Sequence, residues 1–321
     1  MTTDNYNITY FTKIKSKKIK WLWYPYIPYG KITLIEGDPG EGKTSLVLSL
    51  ISLMSTGSCL PFTNTKVSGI SIYQNDEDDI ADTIKPRLQK ENANCNNVCF
   101  IDSKETPLFI DDDVVEKAIV ETGAKLLVFD PIQSYMGKNV DMNKASSVRP
   151  ILKRLKETAE RTGCAIVLVR HLNKTSNKNS LYRGLGSIDI TAAARSVLYV
   201  GKDPDNRDTG YIVQQKNNLA PFGKSIEFKI TNSKIQWIAE SEITMQDLVK
   251  TVKGKPSKID IAKDFIKKIL SNGPLLATDV FHLAAVNNIS KHTLNNAKKE
   301  LPIISTKTKN GWIWEIKHNQ R

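Results

Sequence analysis

The 321-residue chain has only four cysteines, four histidines and no long apolar run. Cys59, Cys95, Cys99 and Cys164 form no C-x-x-C pair and have no histidine nearby, so a zinc site is not expected. Thiols this sparse and unpatterned suit a reducing compartment. The longest apolar stretch, residues 46–54, is far too short to cross a bilayer, and the N-terminus lacks the continuous apolar segment of a secretory leader. The expectation is a cytoplasmic protein that does not touch membranes. No internal repeat is present.

The composition is that of an ordinary globular chain, 40% hydrophobic and 25% charged. Its length fits one large α/β domain with a small companion, or two medium domains. The net charge of +12, with an isoelectric point near 9.3, points to a polyanionic partner, nucleic acid before membrane. The charge is unevenly spread. Residues 241–321 hold 14 Lys/Arg against 7 Asp/Glu and so carry +7 of the +12.

The densest signal is KITLIEGDPGEGKT at residues 31–44. A β-rich run leads into Gly37-Asp38-Pro39-Gly40-Glu41-Gly42-Lys43-Thr44, and Ser45 opens a helix-like stretch, LVLSLISLM. This is the G-x-x-x-x-G-K-[ST] phosphate loop with strand before and helix after. The glycines let backbone N–H groups curl around phosphates, and the helix N-terminus adds positive potential. Lys43 is expected on the β/γ-phosphates and the Thr44 hydroxyl on Mg²⁺, so ATP with Mg²⁺ is the expected ligand.

Apolar strand-like runs at 31–36, 69–74, 98–101, 125–130, 165–170, 196–201 and 211–215 alternate at first with helical stretches at 44–54, 79–92, 112–121 and 145–162. Near-continuous apolar strands separated by helices predict a mostly parallel sheet covered on both faces. The closely spaced strands 196–201, 211–215 and 225–230 predict an antiparallel extension. The expected domains are a basic arm (1–20, with lysines 13, 15, 17, 18 and 20), an ATPase domain (21–245), a linker (246–259) and a small domain (260–321). Trp21, Leu22, Trp23, Tyr24 and Tyr26 read as a packing lid rather than a base-stacking platform.

In the last segment Ile261, Phe265, Ile266 and Ile269 share one helical face. Thr278 is positioned to cap a second helix and Ser290 a third. Strands at 303–305 and 312–316 flank a turn at Asn310-Gly311. Three short helices and a hairpin predict a winged helix-turn-helix, with His292, Thr293, Asn295, Asn296, Lys298 and Lys299 on or near its third helix and a DNA contact there. A protein-docking module is the alternative.

In a doubly wound sheet ligands sit at the carboxyl ends of the strands. Asp130 ends the run LLVF and fits a Mg²⁺-holding aspartate, the alternative being a cap of the turn at Pro131. The strand ending at Gln74 opens into Asn75-Asp76-Glu77-Asp78-Asp79, where one carboxylate can polarise the attacking water. Asp79 can instead cap the following helix. A third strand ends at Arg170-His171, where the histidine is either structural or able to report a γ-phosphate. Two long polar loops follow such strand ends, 134–146 and 172–187, the second carrying Lys174, Lys178 and Arg183.

Five features stand in order: GDPGEGKT, the D-E-D strand end, LLVFDP, a strand ending in H-L-N-K, and YRGLGS followed by AAARSV. Over about residues 20–245 the chain resembles RecA-like ATPases of the RepA hexameric helicase type, relatives of DnaB and RecA. The resemblance implies Glu77 as the water-activating base, Asp130 as the Walker B residue and His171 as the γ-phosphate sensor. It also implies a basic residue completing the neighbouring subunit's site, for which Lys216 in QQKNNLAPFGKSIEF matches, although arginine is more usual there. Lys174 and Arg183 then face DNA in a ring channel.

The expected activity is a Mg²⁺-dependent ATPase with a RecA-like core, forming a homo-oligomeric ring, a hexamer as the resemblance implies, that moves single-stranded DNA. The same site would serve an ATP-dependent loader or regulator that does not unwind, or a DNA-binding switch with little turnover. A small-molecule kinase fits less well, since it leaves the terminal module unexplained.

Overall fold

The computed structural model describes residues 8–103, 105–137, 140–172, 188–203, 206, 208–252, 258–271, 273–287, 289–309 and 311–316. The chain divides into two compact units, Met1–Leu248 and Val249–Arg321.

In the first unit residues 8–20 are exposed and contain one short 3₁₀ turn, Phe11–Lys13. Strands β1 (Trp21–Trp23) and β2 (Ile27–Pro28) form a small antiparallel pair. Then follow β3 (Ile32–Gly37), α1 (Lys43–Ser55), β4 (Ser71–Asn75), a π-helical turn (Ile80–Ile84), α2 (Lys85–Lys90) and β5 (Val98–Cys99). Next come α3 (Asp113–Thr122), β6 (Leu126–Asp130), α4 (Ala145–Thr162), β7 (Ala165–His171) and α5 (Ile188–Ala193). Strands β8 (Ser196–Lys202), β9 (Thr209–Asn217), β10 (Ser225–Thr231) and β11 (Lys234–Ser241) complete the sheet, and α6 (Met245–Val252) follows it.

The sheet has nine strands in the order β11-β10-β9-β8-β3-β7-β6-β4-β5. Strands from β8 to β5 pair in parallel, and β9, β10 and β11 add antiparallel hairpins. Alternate residues of the parallel strands enter opposite cores. Ile35, Val128, Val167 and Val169 join α1 on one face, while Ile32, Leu34, Leu127, Phe129, Ile166 and Leu168 join α3 and α4 on the other. This two-sided burial explains why the strands read as unbroken apolar runs.

The aromatic cluster is a lid. Trp23 is fully buried, donates Nε1–H to the Pro61 carbonyl at 3.0 Å and meets the Trp237 ring edge-on at 6.0 Å. Tyr24, in contrast, is exposed.

Three expectations change. Strand β11 was not anticipated, because its alternation of buried and exposed residues lacks the apolar density of the inner strands. Residues 245–252 are helical where a linker was expected. Met245 and Leu248, one helical turn apart, pack with Leu172, Tyr199 and Val213 of the first unit.

The second unit contains α7 (Lys258–Leu270), β12 (Leu275–Leu276), α8 (Ala277–Val286), α9 (Lys291–Lys299), β13 (Ile303–Thr308) and β14 (Gly311–Ile316). Its sheet runs antiparallel in the order β12-β14-β13. Ile266, Leu270, Val280, Leu294 and Trp314 form its core. Ser290 caps α9, accepting the Thr293 amide at 3.1 Å. The third change is at Thr278, which lies inside α8 rather than capping it, because the extended residue at the start is Leu276.

Candidate functional site

Four strand ends meet around the phosphate loop. β3 stops at Gly37, the loop turns through Gly40 and Gly42 at φ of 81° and 96°, and α1 starts at Lys43. Such angles favour glycine. At Gly37 space imposes the same choice, since a Cβ there would lie 2.1 Å from the Val200 backbone carbonyl oxygen. Glu41 braces the loop from outside by accepting the Lys202 amide. Pro39 and Gly40 are exposed, and Ser45 is half-buried in the first turn of α1.

Lys43 is buried, and its ammonium donates to the Gly37 and Asp38 carbonyls at 2.9 Å each. Burial lowers its pKa, opposed by the charges of Asp130, Asp38, Glu41 and Glu77. Asp130, 1% exposed, ends β6 beside it. Its Oδ2 accepts the Thr44 hydroxyl at 2.8 Å and the Tyr73 hydroxyl at 2.9 Å. Burial raises the Asp130 pKa, Glu77 adds to that, and the two hydroxyls and Lys43 pull it back.

Thr44 and Asp130 thus place hard oxygen donors in contact next to a buried ammonium. No group of three or more His, Cys, Asp or Glu able to hold a metal occurs among the described residues. That donor set suits Mg²⁺, which is bound through one or two protein oxygens, substrate phosphates and water rather than in an all-protein cage.

The acidic strand end is sorted by its partners. Asp79 caps the π-helical turn through the Ala81 and Asp82 amides at 2.7 and 2.9 Å. Asp78 pairs with Arg87 at 3.2 Å. Glu77, about half exposed, stands with Oε1 3.3 Å from His171 Nε2 at the end of β7. Of the four carboxylates, Glu77 is the one brought to the histidine.

Sequence reasoning missed two residues here. Tyr73 holds the Asp130 carboxylate, as described. Asn75 lies opposite Asp130 in the parallel pairing and donates Nδ2–H to its carbonyl at 3.2 Å, while its Oδ1 accepts the Asp78 amide at 2.7 Å. It therefore ties the turn bearing Glu77 to the strand bearing Asp130. The only sequence signal was their place at the end of a core strand.

Tyr73→Phe removes one of the two donors to Asp130 without changing packing volume. The Mg²⁺ concentration giving half-maximal phosphate release should rise about tenfold, as for other residues that orient a metal ligand. An unchanged Mg²⁺ titration would reduce Tyr73 to packing.

The remaining expected site residues lie elsewhere. Lys216 donates to the carbonyls of Thr191, Ala192 and Ala194 at 2.8, 3.1 and 2.7 Å, closing the C-terminus of α5 in its own chain. Burial lowers its pKa, and Arg195 nearby adds to that. Lys298 is also turned inward, 2.5 Å from Ser305 Oγ and 4.0 Å above the Trp314 ring, with its pKa lowered by burial. The Lys298 ammonium is thus engaged by Ser305 and Trp314 of its own unit, whereas Lys299 is exposed. Lys174, Arg183 and the side chain of His292 lie outside the described residues.

The profile of the AAA domain family (AAA_25) matches residues 11–177, more than half of the chain. The chain belongs to that family. This AAA domain also resembles the DNA repair protein RadA of Bacillus subtilis (strain 168), at 28% identity over 147 residues, covering 45% of the chain. The match spans 28% of RadA, less than a third of its length. A KaiC-like protein of the hyperthermophilic archaeon Pyrococcus horikoshii OT3 superposes at a TM-score of 0.49 and 17% identity, covering 66% of this chain and 91% of that one. The AAA domain here carries its phosphate loop between a core strand and a helix of a mostly parallel sheet. No helix among its described residues is long and apolar enough to cross a membrane.

Proposed function

We propose that this AAA-domain protein is a Mg²⁺-dependent ATPase acting on DNA, a ring-forming single-stranded DNA translocase or helicase of the RepA type. The observation that carries the reading is the meeting of Lys43, the Thr44–Asp130 pair and the Glu77–His171 pair at the carboxyl ends of β3, β4, β6 and β7. The loop amides and Lys43 bind the phosphates, and Thr44 and Asp130 would hold Mg²⁺. The ion, when bound, offsets charge developing on the phosphoryl oxygens. Glu77 takes the proton of the attacking water, and His171 orients its carboxylate. The DNA half of the reading rests on the second unit, a winged helix-turn-helix in element order, whose residues 249–321 hold 14 Lys/Arg against 5 Asp/Glu.

A strand-displacement assay on a forked duplex, run beside phosphate release with and without single-stranded DNA, tests it. DNA-stimulated release without displacement would sink the helicase reading. It would leave an ATP-dependent loader or regulator. One observation favours that second reading: the ammonium of Lys216 is held by three carbonyls of its own chain. Mass in solution with and without ATP and single-stranded DNA tests the ring itself, because a strict monomer removes any trans role for Lys216.

Ending the chain after Val252 keeps α6 and its buried Leu248 with the first unit. Basal ATP hydrolysis should persist within about twofold, while DNA affinity at moderate salt falls at least tenfold as the basic charge is lost. DNA affinity equal to that of the full chain, measured by fluorescence anisotropy, would favour a protein-docking role for the second unit.

A further inference from the structure

The β13–β14 hairpin presents one indole to its own core and another to solvent. Trp314 is buried, edge-on to Phe281 at 5.5 Å and covered by Lys298 of α9. Trp312 is 53% exposed. The antiparallel register pairs Ser305 with Trp314 and Lys307 with Trp312. Directly opposed residues share a face, and the side-chain period is two. Trp312 and Lys307 therefore extend the same face beyond the part that α9 covers, nearer the turn. Lys307 and Lys309 on the hairpin, and Lys291 and Lys299 at the two ends of α9, are exposed as well.

An indole left half in water contributes little to folding, yet here it stands opposite a lysine on a unit with a large positive excess. The combination suits a polyanion that also offers a flat apolar face. Stacked bases in a duplex hide those faces, and a single strand exposes them. The geometry points to Trp312 as a stacking platform for an unpaired base of single-stranded nucleic acid, with Lys307 on the adjoining phosphate. The inference rests on the reading of the second unit as a DNA contact.

The test uses the full-length protein and fluorescence anisotropy with a labelled oligothymidine and with a labelled duplex. Trp312→Ala should weaken single-strand binding about tenfold, leave duplex binding within twofold and leave the thermal unfolding midpoint unchanged. Trp312→Phe should restore most of the single-strand affinity, and Lys307→Ala should lower the salt slope of binding by about one. Reversing Lys291, Lys299, Lys307 and Lys309 to Glu serves as the reference. If that protein loses DNA binding while Trp312→Ala retains full single-strand affinity, the stacking assignment is wrong and the DNA reading stands. Equal loss on single strand and duplex from Trp312→Ala also overturns the assignment. Unchanged DNA binding after charge reversal overturns both.

Discussion

Glu77→Gln should bind ATP with near-normal affinity and hydrolyse it about 10²–10⁴-fold more slowly, the usual loss when a positioned general base is removed. The amide keeps the side-chain volume and can still meet His171, which lies 3.3 Å from the carboxylate. What it cannot do is accept the proton of the attacking water. Nucleotide binding depends instead on Lys43, the loop amides and the Thr44–Asp130 pair, none of which contacts Glu77 through a hydrogen bond described above. Filter retention of labelled ATP beside a phosphate-release assay reads the two properties separately. Normal turnover would pass the base role to Asp76 or Asp78, and to Asp76 first, because Asp78 already pairs with Arg87. Loss of ATP binding together with turnover would mean that Glu77 shapes the pocket rather than the chemistry.

Residues whose chemistry forces their surroundings were legible before the fold was seen. Gly37, Gly42, Lys43 and Thr44 occur at a spacing that serves phosphate binding, and the structure shows a backbone angle at Gly42 and a clearance at Gly37 that favour glycine. The parallel strands were legible because both faces are buried. Asp130 was legible from its place at the end of LLVF. Choosing among Asp76, Glu77, Asp78 and Asp79 from the residues alone was not possible, since the choice depends on Arg87, the amides of the next turn and His171. Tyr73 and Asn75 were invisible for another reason. They act across the β4–β6 register, and a polar residue near a strand end reads the same whether it faces a partner strand or water. Lys216 donates hydrogen bonds to backbone carbonyls, and Lys298 donates to Ser305 and covers an aromatic ring. Composition counts such cations with the surface charge, although folding has already engaged them.

The second large effect is expected away from the phosphates. Glu36 and Arg170, opposed in the β3–β7 pairing, form an ion pair with both side chains at 1% exposure or less, and Arg170 also donates to Thr191 of α5 at 2.8 Å. Each precedes a site residue, Gly37 and His171 respectively. Arg170→Met fills much of the same volume but leaves the Glu36 carboxylate buried without its cation, which should cost about 3–5 kcal/mol of stability near neutral pH. Burial is already the largest influence on Glu36 and raises its pKa, while Arg170 opposes it, so removing Arg170 raises that pKa further. A carboxyl with a raised folded-state pKa holds its proton longer in the native than in the unfolded state. Stability of the variant should therefore fall as pH rises from about 4.3, the unfolded value, towards the raised folded value, at up to ~1.4 kcal/mol per pH unit. Urea unfolding of Arg170→Met across the acid range reads this slope, and a destabilisation independent of pH would mean that lost packing, not the stranded charge, is the cause. Glu36→Leu combined with Arg170→Met removes the charge as well and should recover most of the stability, since well-packed apolar replacements of buried pairs are often neutral. If that double variant folds normally yet hydrolyses ATP poorly, the ion pair's contribution lies in holding Gly37 and His171 in register rather than in holding the sheet together.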